Sequence, residues 1–366
     1  MRNKKSIDTM KKIFILAVAA LAMAACTKSE ISRPESSPIS FTPNALSTKA
    51  LILPGADSDD AFPTNESFNV FAFSALNGTD YDYTHPLMND VNISNQGGDW
   101  KATTGTYLWP ATGKVSFFAY HPSSMEANFV ATDPQHLTFA GVSLGKVIGN
   151  QIDPLSACVL AQDAASKPKV PLVFKHFTSQ ITATAFDATV TETLKGKIRI
   201  KNVVFHNMNT SGDYAEGTTI GKGEWTNVND VADFIIFNGD EVLAETESYL
   251  SAGSFSSSVD NESAFVVIPS DLKTGAGAQS IDVTYSISAY SINGFDYPAT
   301  QDQTVNIPLY GKVNANRFQN GKRYVFHLGI SLDGANNEIM FSPTVSGWET
   351  VNIGGITIDA VNAVMM

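Results

Sequence analysis

The sequence predicts an all-β protein made of two tandem antiparallel β-sandwich domains. Three observations carry this. Short apolar or alternating runs recur along the chain, separated by turn residues such as Asn77-Gly78, Gly97-Gly98 and Thr112-Gly113. None of the intervening segments repeats its apolar residues at a helical period, so crossover helices are lacking and the strands are expected to pair antiparallel. At 366 residues the chain also exceeds what a single core holds. The composition agrees: 43% of residues are hydrophobic and only 16% are charged.

Residues 1–25 read as an export signal. Lys4, Lys5, Lys11 and Lys12 form a basic region, an apolar run follows, and Met23-Ala24-Ala25 leads into Cys26. The apolar run is shorter than the roughly 20 residues a membrane span requires. Residues 27–38 are polar and broken by Pro34 and Pro38, as suits a tether. Ile39 and Phe41 then alternate with Ser40 and Thr42, the pattern of a half-buried edge strand, ahead of a turn-prone stretch that contains Lys49 and Ala50. Residues 26–49 are therefore expected to be a tether plus a detachable first strand.

Residues 50–190 are assigned to the N-terminal sandwich, with strand signals at 68–73, 107–109, 115–120, 137–139, 170–177 and 180–186. A polar stretch around 187–196 marks the boundary. Residues 191–350 repeat the style, with strand signals at 197–205, 234–237, 263–269, 281–290, 304–308 and 323–330. Residues 351–366 form a candidate donor strand. Ile356, Ile358, Ala360, Val364 and Met366 share one face, interrupted by Asn362, and Gly354-Gly355 supplies a hinge. The eleven residues 356–366 reach about 36 Å at about 3.3 Å each when extended, long enough to bridge two molecules. The same tail is also able to close its own domain.

Chemistry is sparse. A net charge of −12 with no basic stripe argues against nucleic acid as a partner. With Cys26 in the export signal, Cys158 is the remaining thiol, and its apolar flanks predict a buried side chain. The acidic loop 57–60 lacks the spaced ligand pattern of a calcium site, and the six histidines lack the paired spacing of zinc ligands. Gly141-Val-Ser-Leu-Gly145 matches the nucleophile-elbow pattern, but that motif works on a strand-to-helix turn of a parallel sheet, and the residues that follow are broken by Gly149 and Pro154. No catalytic residue, cofactor or metal ligand is assigned.

Four clusters together carry a family resemblance. They are the export signal followed by Ile39-Ser-Phe41 and Thr48-Lys49-Ala50; Tyr107-Leu-Trp-Pro110 continuing to Val115-Ser-Phe-Phe-Ala-Tyr-His-Pro122; Leu172-Val-Phe-Lys-His176; and Tyr324-Val-Phe-His-Leu328 with Val345-Ser-Gly-Trp348. In order and spacing the chain resembles the fimbrillin-like (Mfa-like) family, the pilus subunits and related surface lipoproteins of Bacteroidetes. The resemblance implies two transthyretin-like β-sandwiches carried to the outer membrane and cell surface as a lipoprotein. It implies acylation at Cys26, cleavage by a trypsin-like surface protease between Lys49 and Ala50, and loss of the strand containing Ile39 and Phe41. A neighbouring subunit's tail, here 356–366, then fills the groove, and the partners are other fimbrial subunits in a structure serving adhesion and biofilm. A lipid-anchored glycan-binding protein is the alternative, with Tyr81, Tyr83, Trp100 and Trp225 as aromatic platforms.

Overall fold

The structure is a computed structural model, and it describes residues 37–45, 62–132, 135–165, 169–258 and 262–333. Cys26, Lys49, Ala50, the acidic loop 57–60 and the tail residues Ile356, Ile358, Ala360, Val364 and Met366 lie outside the described residues.

Among the described residues the chain is almost wholly strand. In order these are β1 (Ser40–Ala45), β2 (Ser67–Ala75), β3 (Met88–Gln96), β4 (Asp99–Ala102), β5 (Lys114–His121), β6 (Asn128–Val130), β7 (His136–Ser143), β8 (Leu155–Gln162), β9 (Lys169–His176) and β10 (Ser179–Asp187). After them come β11 (Ile198–Ala215), β12 (Glu224–Val242), β13 (Ser248–Leu250), β14 (Phe255–Ser256), β15 (Phe265–Val267), β16 (Ser280–Ile287), β17 (Tyr290–Ile292), β18 (Phe295–Tyr297), β19 (Gln303–Pro308) and β20 (Lys322–Ile330). The only helical elements described are 3₁₀ turns at Glu192–Leu194 and Asn314–Asn316.

The all-β class is the one expected. Seven strands close into a barrel in the order β1-β4-β3-β2-β5-β8-β9. Its interior is packed by Phe41, Phe68, Phe117, Trp109, Leu172 and Phe174 among others. The rest forms two facing sheets. One runs β14-β13-β10-β15 with β20 beside β10; the other runs β19-β16-β11-β7-β6 with β12 beside β11. A second core lies between them, including Ile181, Phe205, Phe234, Phe265, Tyr324 and Phe326. β6 and β7 thus precede the last barrel strands in sequence yet pair in the sheet built on β11.

Two pairings are parallel where antiparallel neighbours were expected. β1 runs parallel to β9 over six residue pairs, Ser40↔Lys169 to Ala45↔Phe174. β10 runs parallel to β20 over nine, Ser179↔Lys322 to Asp187↔Ile330. β1 and β9 are the first and last strands of the barrel, and β10 and β20 open and close the run of strands that follows it; both pairings are long-range closures that no hairpin can make, since parallel partners need a crossover connection.

A third apolar cluster joins the bodies. Phe71, Phe73, Phe118 and Tyr120 on the outside of the barrel meet Phe139, Tyr214, Trp225 and Val266. Phe177 stacks on Tyr214 with ring centres 4.2 Å apart, and the Trp225 indole N–H donates to the Phe177 carbonyl at 2.9 Å. β9 and β10 are separated only by Phe177 and Thr178, so the chain runs straight through this junction.

β12 is a long edge, 19 residues paired only with β11. An unpaired edge of that length invites association. Four register shifts break its ladder, and Asp230, Asp233 and Asp240 place charge along it, both recognised ways of blunting an edge.

Candidate functional site

The site is the slot that β1 occupies. Sequence alternation sends Ile39, Phe41 and Pro43 into the barrel, where all three are buried, while Thr42 and Asn44 stay exposed. Phe41 is 1% exposed and meets Phe68 and Phe117 edge-to-face, with ring centres 5.9 and 5.7 Å away. That offset geometry is the one aromatic pairs favour. On one side β1 lies along β9, whose Val170, Leu172 and Phe174 also point inward. On the other it meets β4 through a single pair, Phe41↔Trp100.

The strand expected at an edge is therefore interior, closing a barrel. The reason is that a closed sheet leaves no unpaired row of backbone groups on β9 and β4. Closure is uneven, however: one ladder is long and the other is a single contact. Upstream, the Ile39 amide donates to the Tyr107 carbonyl at 2.8 Å and the Trp109 amide to the Ser37 carbonyl at 3.0 Å. The chain thus enters the barrel along residues 107–109. The strand expected at 107–109 is reduced to an isolated bridge between Leu108 and Pro38, whereas the β9 residues were recognisable as strand; the role of both as walls of the slot was not legible.

The barrel body reaches β1 through residues 46–61 alone, the stretch that contains Lys49 and Ala50. Phe62, the first described residue beyond it, packs at ring-centre distances of 5.6 Å from Phe68 and 5.4 Å from Trp100. Phe62 also lies 5.0 Å from Phe174, so it touches both strands that flank β1, β4 through Trp100 and β9 through Phe174.

The other chemistry considered in the sequence falls into structural roles. Trp100 and Trp225, platforms only under the glycan-binding alternative, are each 8% exposed and packed into cores, which counts against that alternative. Tyr81 and Tyr83 stack on each other at 6.0 Å, half-buried beside Phe73 and Phe129. Cys158 packs against the junction cluster, and burial pushes its thiol up to about 12. His176 is buried against Asp153 at 2.9 Å. Ser143 ends an antiparallel strand and no helix follows it, so the elbow geometry is not formed. Among the described residues no group of three or more His, Cys, Asp or Glu is placed to hold a metal. No helix among them is long and apolar enough to cross a membrane.

A family model described as fimbrillin-like matches residues 19–348. The chain belongs to the fimbrillin-like family. Among solved structures, a fimbrial protein from Bacteroides vulgatus is 16% identical, with a TM-score of 0.50, over 84% of this chain and 99% of that one. A protein proposed to act in cell adhesion, from Bacteroides uniformis, is 14% identical with a TM-score of 0.46, over 88% of this chain and 97% of that one. At 16% identity the likeness to the Bacteroides vulgatus protein is one of fold. No curated protein matches the chain. Fimbrillin-like membership supports a structural role at the cell surface, in assembly with other fimbrial subunits, and favours a subunit over an enzyme. Two tandem transthyretin-like sandwiches are compatible with this fimbrillin-like fold.

Proposed function

We propose that this chain is a fimbrial subunit exported as a lipoprotein, activated by proteolytic removal of its first strand and polymerised by strand exchange. Cys26 is the acylated residue that holds the precursor at the outer membrane. A trypsin-like protease cuts the Lys49–Ala50 bond, and residues 26–49, with Ile39 and Phe41, leave. The body then consists of residues 50–190 and 191–350, with 351–366 as the donor.

One observation carries the reading: β1 closes the barrel core while its tie to the body is the connection 46–61. After cleavage β1 is held only by its pairing and by the burial of Ile39, Phe41 and Pro43. Fully burying side chains such as Ile and Phe contributes about 1.5–3 kcal/mol each. This is enough to hold a connected strand, where closure costs no translational freedom, and weak for a free peptide, where association costs at least about 4 kcal/mol.

The emptied slot then offers β9 backbone donors and acceptors above an apolar floor, a template for strand addition. Ile356, Ile358 and Ala360 repeat the every-second-residue spacing of Ile39, Phe41 and Pro43. The glycan-binding alternative loses two of its four aromatic platforms to the cores.

The test is limited trypsin digestion of the exported chain, with and without residues 356–366. Detergent-stable ladders that need both cleavage and the tail support strand exchange. Monomers in both cases rule it out for this chain acting alone.

A further inference from the structure

The end of the second body remote from the junction carries a hairpin whose outer strand the core leaves exposed. β17 and β18 form a two-residue hairpin, with Asn293 and Gly294 both at positive φ (53° and 80°), as a type I′ turn requires. Its first strand leans on the second core through Tyr290 and Ile292, while its second strand, β18, is exposed. Phe295 is 69% exposed, Tyr297 is 40% exposed, and Tyr290 stacks on Tyr297 with ring centres 4.8 Å apart. Soluble proteins seldom leave clustered aromatics bare without a partner.

Its position is defined by hydrogen bonds. The hairpin springs from the end of β16, where Ile287 pairs with Ile198, the first residue of β11, and the Ser288 amide donates to Lys197. The opposite end of β11, at Tyr214, lies in the junction with the barrel. The chain leaves the described structure at this same end. The Asp333 carboxylate accepts from the Val190 and Thr191 amides, immediately before the 3₁₀ turn Glu192–Leu194, and Val190 is itself 74% exposed. The last described residue, Asp333, therefore lies at the turn that β17 packs beside.

The slot has a matching geometry. β1 enters at the barrel rim remote from the junction, where Ser40 pairs with Lys169, and β9 runs from there straight into β10. The Ser40 end of the slot is therefore the one remote from the second body, and it is the end at which we take a strand from another molecule to arrive. Two exposed leucines stand there: Leu108, bridged to Pro38 at the point of entry, and Leu76, just past the end of β2.

We infer that the β17–β18 hairpin is a head-to-tail contact surface whose partner is a second copy of this chain, seating Phe295 and Tyr297 on the Leu76 and Leu108 rim of the neighbour. The inference rests on the strand-exchange reading above and assigns it a second contact. The two surfaces are different patches on opposite ends of one molecule, which is the heterologous arrangement that propagates an open filament. The connection from Asp333 to Ile356 is long, so the tail alone raises the local concentration of a neighbour without fixing its orientation. The hairpin supplies that orientation.

The experiment uses the full exported chain after limited trypsin digestion, comparing wild type with a Phe295→Ser/Tyr297→Ser variant. The variant is expected to keep the wild-type thermal midpoint, since both rings are exposed, and to assemble about tenfold more slowly or worse, as loss of central aromatic anchors does. A second variant, Phe295→Cys with Leu108→Cys in a Cys158→Ala background, is expected to form oxidised ladders linked only between copies. Wild-type rates in the Ser variant, without cross-linking in the Cys variant, overturn the contact and leave strand exchange standing. Wild type that stays monomeric overturns both. A Ser variant that assembles normally but loses binding to immobilised glycans overturns the contact in favour of a carbohydrate surface.

Discussion

Phe41 is the residue on which closure of the barrel turns. Its ring fills the space between Phe68 and Phe117, and nothing else on β1 has comparable volume inside the core. Phe41→Ala leaves a cavity there, and the expected cost is about 3–5 kcal/mol in the uncleaved chain, read as a lowered urea midpoint. Thr42→Ala, on the exposed face of the same strand, is expected to change stability by no more than about 0.5 kcal/mol. Cys158 gives a second reading at this scale. With its thiol held up to about 12 by burial, it is expected to be alkylated at pH 8 at least about a hundredfold more slowly in the folded chain than in urea. Comparable rates in the two states refute that burial. The inward period of Ile39 and Phe41 was legible in the sequence because it is local. The same rule explains why Trp100 and Trp225 are core residues and not platforms of the glycan-binding alternative. Asp99 and Lys101 flank the first, Glu224 and Thr226 the second, and polar neighbours suggested a wet setting. In a strand, flanking residues point to the opposite face, so polar flanks accompany a buried centre.

At the scale of the element, β1 is bound by one long parallel ladder and one isolated pair. Removing residues 1–49 is expected to leave the β9 amides open along 170–174 and to raise their hydrogen exchange, while amides shared by β11 and β16 keep their protection. A synthetic peptide of residues 37–45, being weakly held, is expected to restore protection at β9 only when added in large excess. Uniform loss of protection through both bodies shows instead that β1 is needed for folding as a whole. Most strands of both bodies were visible as alternating runs between turn residues. Their partners were not, because parallel pairing of β1 with β9 and of β10 with β20 joins segments more than a hundred residues apart through no local signal. Closure into a barrel was hidden for the same reason.

At the scale of the whole molecule, the two bodies are joined by apolar packing and by a buried carboxylate. Glu216 accepts from Ser156 of the barrel, from the Tyr214 hydroxyl at 3.1 Å and from the Gly221 amide at 2.8 Å. Burial raises its pKa above the ordinary carboxylate value against the pull of those donors. A raised folded pKa means that the native state holds a proton which the unfolded chain has released, so stability falls as pH rises. The contribution is complete below the unfolded value near 4.5 and is lost as pH climbs through the folded one. Glu216→Gln is expected to flatten this slope in urea midpoints measured from pH 4.5 upward, and an unchanged slope assigns the pH dependence elsewhere. The position of the first strand has a mechanical consequence as well. A strand seated lengthwise along β9 and pulled along its own axis is loaded in shear, so its backbone contacts resist together and fail together. Pulled sideways from the β4 flank, where one pair holds it, the same strand unzips contact by contact. Under the strand exchange proposed above, a fibre stressed along its length would load its donor strand in the first way, and a cleaved first strand would leave its slot in the second.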